Sequence, residues 1–172
     1  MNPSPTDPVA WNAYLAEGNA RQARKRVAAD VILRDAAGRV LVVDPTYKEG
    51  WDLPGGMVEA NEPPHEAAVR ELREELGVEI AIGGLLVVDW VPPHGPWDDQ
   101  LAFIFSACLV GDTDEASIEP LDGELAEAVF LPVGEIPALL RPRLRKRFGA
   151  ALRALDDGRV RYLHDGLPTS GL

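Results

Sequence analysis

The sequence predicts an α+β fold built on a mixed β-sheet, and two observations carry that expectation. Strand-like runs outnumber helical ones, and the strongest helical pattern, Pro63–Leu76, sits mid-chain. A length of 172 residues suits one domain with short additions at each end. With 46% hydrophobic and 26% charged residues, the composition is that of an ordinary soluble globule.

In order along the chain, Asn2–Pro8 is rich in Pro and Asn and is expected to fray. Trp11, Tyr14 and Leu15 have helical spacing and predict a short helix through about Gln22. Val27–Leu33 and Arg39–Val43 read as strands separated by the turn Asp35-Ala36-Ala37-Gly38. Trp51–Gly56 reads as a short extended piece ending in a Gly-Gly turn. Pro63 and Pro64 fit only the first turn of the helix that follows, and Gly77 fits its C-cap. Ala67, Ala68, Leu72 and Leu76 form its apolar stripe. Val78–Ile82 and Leu85–Trp90 read as two strands. The proline-rich Pro92–Asp99 is a loop, and Leu101–Val110 is a central apolar strand. An acidic loop, Gly111–Gly123, precedes a strand at Ala128–Leu131. A short helix over Gly134–Leu140 and a longer one over about Pro142–Leu155 follow, the latter with Leu144, Phe148, Ala151, Leu152 and Leu155 on one face.

Charge excludes some functions. The net charge of −11 argues against a nucleic-acid duplex as partner, since a basic face is the usual footprint. No apolar run approaches the roughly 20 residues of a membrane span, and no signal peptide is legible at the start. The single cysteine, Cys108, lies in an apolar run and reads as a buried, inert thiol. These features point to the cytoplasm. Of 17 Lys and Arg residues, four lie at 21–26 and eight at 141–161; between them stand only Arg34, Arg39, Lys48, Arg70 and Arg73. An anionic substrate bound by the central segment would therefore depend on metal for most of its neutralisation.

The chemistry concentrates in Arg70-Glu71-Leu72-Arg73-Glu74-Glu75. On a helix, carboxylates at i, i+3 and i+4 share one face with neighbours about 5–6 Å apart, and they repel unless a cation sits between them. A hard divalent ion with oxygen ligands, Mg²⁺ or Mn²⁺, is the natural occupant. Gly55 and Gly56 let the backbone turn tightly toward that ion. Glu62 and Arg70 are expected to pair across the loop–helix junction.

Gly56, five residues, Glu62, seven residues, then Arg70-Glu71-Leu72-Arg73-Glu74-Glu75-Leu76-Gly77-Val78 resembles a complete Nudix box, with every specified position matched. The resemblance implies an α/β/α sandwich over residues 27–140, flanked by an N-terminal extension (1–26) and a C-terminal helix and tail (141–172) packed on the domain. It implies a pyrophosphohydrolase cleaving a small-molecule, nucleotide-derived diphosphate linked to a moiety X, by water attack at phosphorus. It makes Glu74, Glu75 and the Gly55 carbonyl metal ligands, and Glu71 either a further ligand or the group that orients and deprotonates the water. Many family members take another carboxylate from a downstream loop; Glu124 and Glu127 are the candidates, and Phe130 favours Glu124. A homodimer, common among relatives, is an assembly the resemblance allows. Two other functions stay open: a non-catalytic nucleotide or nucleotide-sugar sensor, and an isopentenyl diphosphate isomerase-like enzyme, for which Cys108 lacks the expected context.

Aromatic side chains offer a stacking surface for a base or ring. Trp97 is the foremost candidate, with Tyr47 and Phe105 behind it; core packing is the ordinary role for Phe105, Trp51 and Trp90. The basic run Arg141–Arg147 reads as the solvated face of a docked helix.

Overall fold

The computed structural model describes residues 4–108, 118–121 and 123–169. Its strands are β1 (Arg26–Arg34), β2 (Val40–Pro45), β3 (Gly55–Met57), β4 (Ile82–Val91), β5 (Gln100–Cys108), β6 (Leu125–Leu131), β7 (Arg161–His164) and β8 (Leu167–Pro168). Its helices are α1 (Pro8–Ala20), α2 (Pro64–Leu76), α3 (Ile136–Leu139) and α4 (Pro142–Asp157). Among the described residues none of them is long and apolar enough to cross a membrane.

The strands form one sheet in the order β6-β2-β1-β5-β4-β7-β8, with β3 attached to β1. β1 runs parallel to β5, and β4 parallel to β7; the other pairings are antiparallel. The sheet is therefore mixed, as the scattered order of strands and helices predicts. β1 is apolar on both faces because both are covered. Ala29, Val31 and Leu33 pack under α2 with Ala68 and Leu72, whereas Ile32 joins Ile104, Val87 and the α3–α4 side chains Ile136, Leu144 and Phe148 on the opposite face. The result is a three-layer α/β/α arrangement.

α2 starts at Pro64 and stops at Gly77, whose φ of 66° is the left-handed conformation glycine adopts without a Cβ penalty. Its buried stripe is the predicted one plus Glu75. Two expectations need correction. Val78–Ile82 and Leu85–Trp90 are not two strands: β4 begins at Ile82 and runs on to Val91, and Gly83-Gly84 is taken up as a register irregularity rather than a break. Cys108 is exposed at the end of β5, not buried, because the alternation of that strand turns it outward. α1 has no buried residue; Asp7 caps it and Trp11 meets Tyr14 at 5.5 Å. Residues 109–110 of the predicted central strand and most of the acidic loop lie outside the described residues.

The C-terminal hairpin β7–β8 was not expected. Asp165 (φ 55°) and Gly166 (φ 76°) form its two-residue turn, and Asp-Gly is the strongest short hairpin signal a sequence carries. Asp89, fully buried on β4, accepts the Gly166 N–H at 3.0 Å and an Arg147 Nε–H from α4 at 2.6 Å. One carboxylate thus ties sheet, helix and tail together.

Candidate active site

The site is built where β1, β3 and α2 meet. Gly55 and Gly56 pair with Asp30 and Ala29 across an antiparallel ladder. Without side chains of their own they leave room for α2 carboxylates: a Cβ on Gly56 would lie 2.5 Å from the Glu71 carboxyl group. The Gly55 N–H donates to Glu75 Oε2 at 3.3 Å, and Glu75 is buried.

Arg70 organises the acidic face. Its Nε and Nη2 donate to the two oxygens of Glu62 at 2.8 and 3.0 Å, and Nη2 also reaches the Met57 carbonyl at 3.1 Å. Its Nη1 bridges Glu71 Oε1 (2.9 Å) and Glu74 Oε2 (3.1 Å). The expected Glu62–Arg70 pair is formed, and the bonds from Arg70, with one from the Glu59 N–H, hold the Glu62 carboxyl down at about 2. Glu71 shifts the other way. Burial pushes its carboxyl up, Arg70 opposes this, and the negative charges of Glu74 and Glu124 add to the rise.

These groups line a cavity of about 980 Å³. Glu71, Glu74, Glu75, Gly55 and Gly56 form one wall, and Glu124 faces the same space. Glu124 is held by its backbone carbonyl, which accepts from the Thr46 N–H (2.8 Å) and Oγ1–H (3.1 Å). Glu127 does not line the cavity. Tyr47 and Trp97 do, both more than half exposed. Phe105 does not: it is buried under α2 beside Phe103 and His65, so the expectation that it stacks on substrate is corrected. Cys108 is also absent from the lining.

The opposite wall is basic. Arg141, just before α4, and Arg143 and Arg147 within it reach the cavity with Lys48. Expecting few cations near the substrate was therefore wrong, because counting charge by sequence interval ignored a helix that folds back over the sheet. Arg143 and Arg147 are engaged by Asp165 and Asp89, whereas Arg141 (3.0 Å) and Lys48 (2.6 Å) share the single carboxylate of Asp52. Asp30, on the cavity floor, was not anticipated either. Burial, followed by the charge of Asp52, pushes its carboxyl up to about 7, against the pull of Arg147 and Lys48. A lone acid inside the apolar run of β1 was its only sequence signal.

Among the described residues, no three His, Cys, Asp or Glu side chains converge closely enough to hold an ion as they stand. The donor set is nevertheless that of a hard cation: side-chain carboxylates, with the Arg70 guanidinium bridging Glu71 and Glu74 where positive charge is required.

The model of the NUDIX domain matches residues 24–153. The chain belongs to the Nudix family. Among its relatives is an RNA pyrophosphohydrolase of Brucella anthropi, 30% identical over 137 residues, which covers 69% of this chain and 79% of that protein. The corresponding Brucella ovis protein is 30% identical over 129 residues, covering 64% of this chain and 72% of its own. Solved structures of similar fold include a UDP-X diphosphatase (TM-score 0.66, 19% identity, 93% of this chain and 89% of that one). A MutT protein from Methanosarcina mazei matches with TM-score 0.65 at 20% identity, covering 79% of this chain and all of its own. At such identities the Nudix fold is what these structures share with this chain.

Proposed function

We propose that this Nudix enzyme hydrolyses a diphosphate bond in a nucleoside diphosphate linked to a moiety X, by attack of water at phosphorus with Mg²⁺ or Mn²⁺. One observation carries the reading: the acidic edge of α2 and the Gly55-Gly56 turn share a cavity with a basic wall. A diphosphate needs both, since carboxylates can hold a divalent ion while Lys and Arg neutralise the remaining phosphate charge.

Glu74, Glu75 and the Gly55 carbonyl are the groups that would hold the metal, with Glu124 as the further carboxylate. Bound there, the metal would supply positive charge to the phosphates and acidify water. Glu71 has the raised carboxyl suited to taking a proton from that water, or it serves as another ligand. Glu62 is committed to Arg70 and has a supporting role, fixing the loop against the helix. Trp97 and Tyr47 would face the ring of the substrate.

The test is a panel of nucleoside diphosphate conjugates and dinucleotides with Mg²⁺ and Mn²⁺, read by product identity. Wild type is expected to turn over at least one compound, and Glu71→Gln to lower kcat about 10³-fold while binding is retained. Tight binding of one compound with no turnover of any would refute hydrolysis and favour a sensor.

A further inference from the structure

Arg26 opens β1, and its guanidinium faces the cavity. Its Cζ lies over the Trp97 ring, 4.4 Å from the centroid. Among the described residues its Nη2 reaches only the Met57 sulfur, a weak acceptor at 3.9 Å, and its buried Nη1 has no hydrogen-bond partner. Asp99, whose backbone carbonyl accepts the Arg26 N–H at 3.3 Å, has its carboxylate taken by Lys25 and by the Trp90 Nε1–H at 2.9 Å.

The other arginines of this cavity differ. Arg70, Arg141, Arg143 and Arg147 all have carboxylate partners. Among the described residues none pairs with Arg26. A buried N–H left unsatisfied carries its full desolvation penalty, and a folded chain rarely keeps one without an occupant to meet it.

Position says what that occupant is. Met57 links the two guanidinium groups: its sulfur meets Arg26, while its carbonyl accepts from Arg70, which bridges Glu71 and Glu74. Arg26 thus stands one residue from the acidic face, and Arg26, Ala28 and Asp30 line the cavity along one face of β1. The backbone of Trp97 is fixed, because His94 and Trp97 exchange backbone hydrogen bonds of 3.0 Å across their turn. The guanidinium is held in place before any ligand arrives, so little is lost in ordering it.

We propose that Arg26 is a substrate-binding residue that takes the phosphate next to the one attacked at the acidic face, and so makes a second phosphate at that point a requirement of the site. This rests on the diphosphate reading above. It differs from the stacking role given to Trp97, whose one face Arg26 already covers.

The experiment measures binding of imidodiphosphate, ADP and adenosine by calorimetry with Mg²⁺, in wild type, Arg26→Gln and Arg26→Lys. Arg26→Gln is expected to weaken imidodiphosphate and ADP about 10- to 100-fold, the range of a lost charged hydrogen bond, and to leave any adenosine binding unchanged. Arg26→Lys restores part of the loss by returning the charge without the planar fork. On a hydrolysed substrate the same change raises KM more than it lowers kcat. Wild-type binding of imidodiphosphate by Arg26→Gln overturns the proposal, as does a loss confined to the nucleoside part, which would make Arg26 a ring contact. So does failure of wild type to bind imidodiphosphate or ADP at all. Should Arg26→Gln not fold, Trp97→Ala, at an exposed position, carries the test: releasing the guanidinium should weaken imidodiphosphate roughly 3- to 10-fold, and no change refutes the idea. The hydrolase reading fails separately, if phosphates bind and Arg26 matters but no compound is cleaved.

Discussion

Two adjacent glycines divide the work of the site between fold and chemistry. Gly55 has φ 135°, and a Cβ there would run into the Ala29 carbonyl and lie 2.7 Å from the Asp30 Cα. Both obstacles are backbone of β1, so neither can move without breaking the β1–β3 ladder. Gly56 has no such strain; its added Cβ would meet only the Glu71 carboxyl, the far end of a flexible side chain. Gly55→Ala is therefore expected to destabilise the protein by roughly 2–4 kcal/mol in urea unfolding. Gly56→Ala should stay within about 1 kcal/mol of wild type yet lose roughly 10- to 100-fold in kcat/KM, through displacement of Glu71. Equal losses of stability in the two variants would show that Gly56 is a fold residue and that its approach to Glu71 is incidental. Of these residues the sequence announces Gly55, Gly56 and the glutamates by spacing alone, because a helix face and a tight turn are local. Arg26 is not announced: it meets Trp97 only because β1 lies parallel to β5, pairing Arg26 with Gln100. No local pattern encodes that register.

At the level of elements, β1, β2 and α2 were legible, the two strands as short continuous apolar runs bounded by turn signals and the helix by its single period. β4 was misread where Gly83-Gly84 looks like punctuation, although a Cβ on Gly83 would meet Ser106 Oγ at 2.6 Å and the strand needs glycine there for close approach. The tail was missed despite its Asp-Gly turn, because β7 and β8 are too short to show alternation. The largest difference concerns α4, whose basic run reads from the sequence as a solvated face. Its apolar stripe, Leu144, Phe148, Ala151 and Ala154, buries one face, and the flanking Arg141, Arg143 and Arg147 consequently point into the cavity. The Asp89–Arg147 pair fixes that placement, with side-chain exposures of 0% and 11%. Asp89→Ala leaves a buried guanidinium and the Gly166 N–H without their acceptor, and should cost about 3–5 kcal/mol. Adding Arg147→Met should recover much of the loss, since an apolar pair leaves no charge buried. A cost below about 1 kcal/mol for Asp89→Ala, measured by denaturant midpoint, would mean that water reaches the pair and that α4 is positioned by its apolar face alone.

For the molecule as a whole, charge is unevenly spent: the chain carries −11, yet its cavity is lined by as many basic side chains as acidic ones. Glu71, Glu74, Glu75 and Glu124 come from other elements than Arg141, Arg143, Arg147 and Lys48, with Arg70 the cation among the first group and Asp52 the acid shared within the second. Such a division makes a specific prediction about metal. If the acids were merely solvated, a divalent salt would act on the global charge and any salt of equal ionic strength would do the same. If Glu71, Glu74, Glu75 and Glu124 take a hard cation, Mg²⁺ binds the folded chain in preference to the unfolded one, and stability rises by RT ln(1 + [Mg²⁺]/Kd), about 2.7 kcal/mol at one hundred times Kd. For a chain of this length each kcal/mol raises Tm by roughly 2–4 °C, so millimolar MgCl₂ should lift Tm by about 5–10 °C at that saturation. NaCl matched in ionic strength should not, and Glu74→Gln should abolish most of the increment while leaving the metal-free Tm nearly unchanged, because Glu74 is half exposed and, among the described residues, paired only with Arg70 and Arg73. Equal shifts with the two salts, or a full Mg²⁺ shift in Glu74→Gln, would remove the acidic face of α2 as the metal site and leave Arg70 as its resident cation.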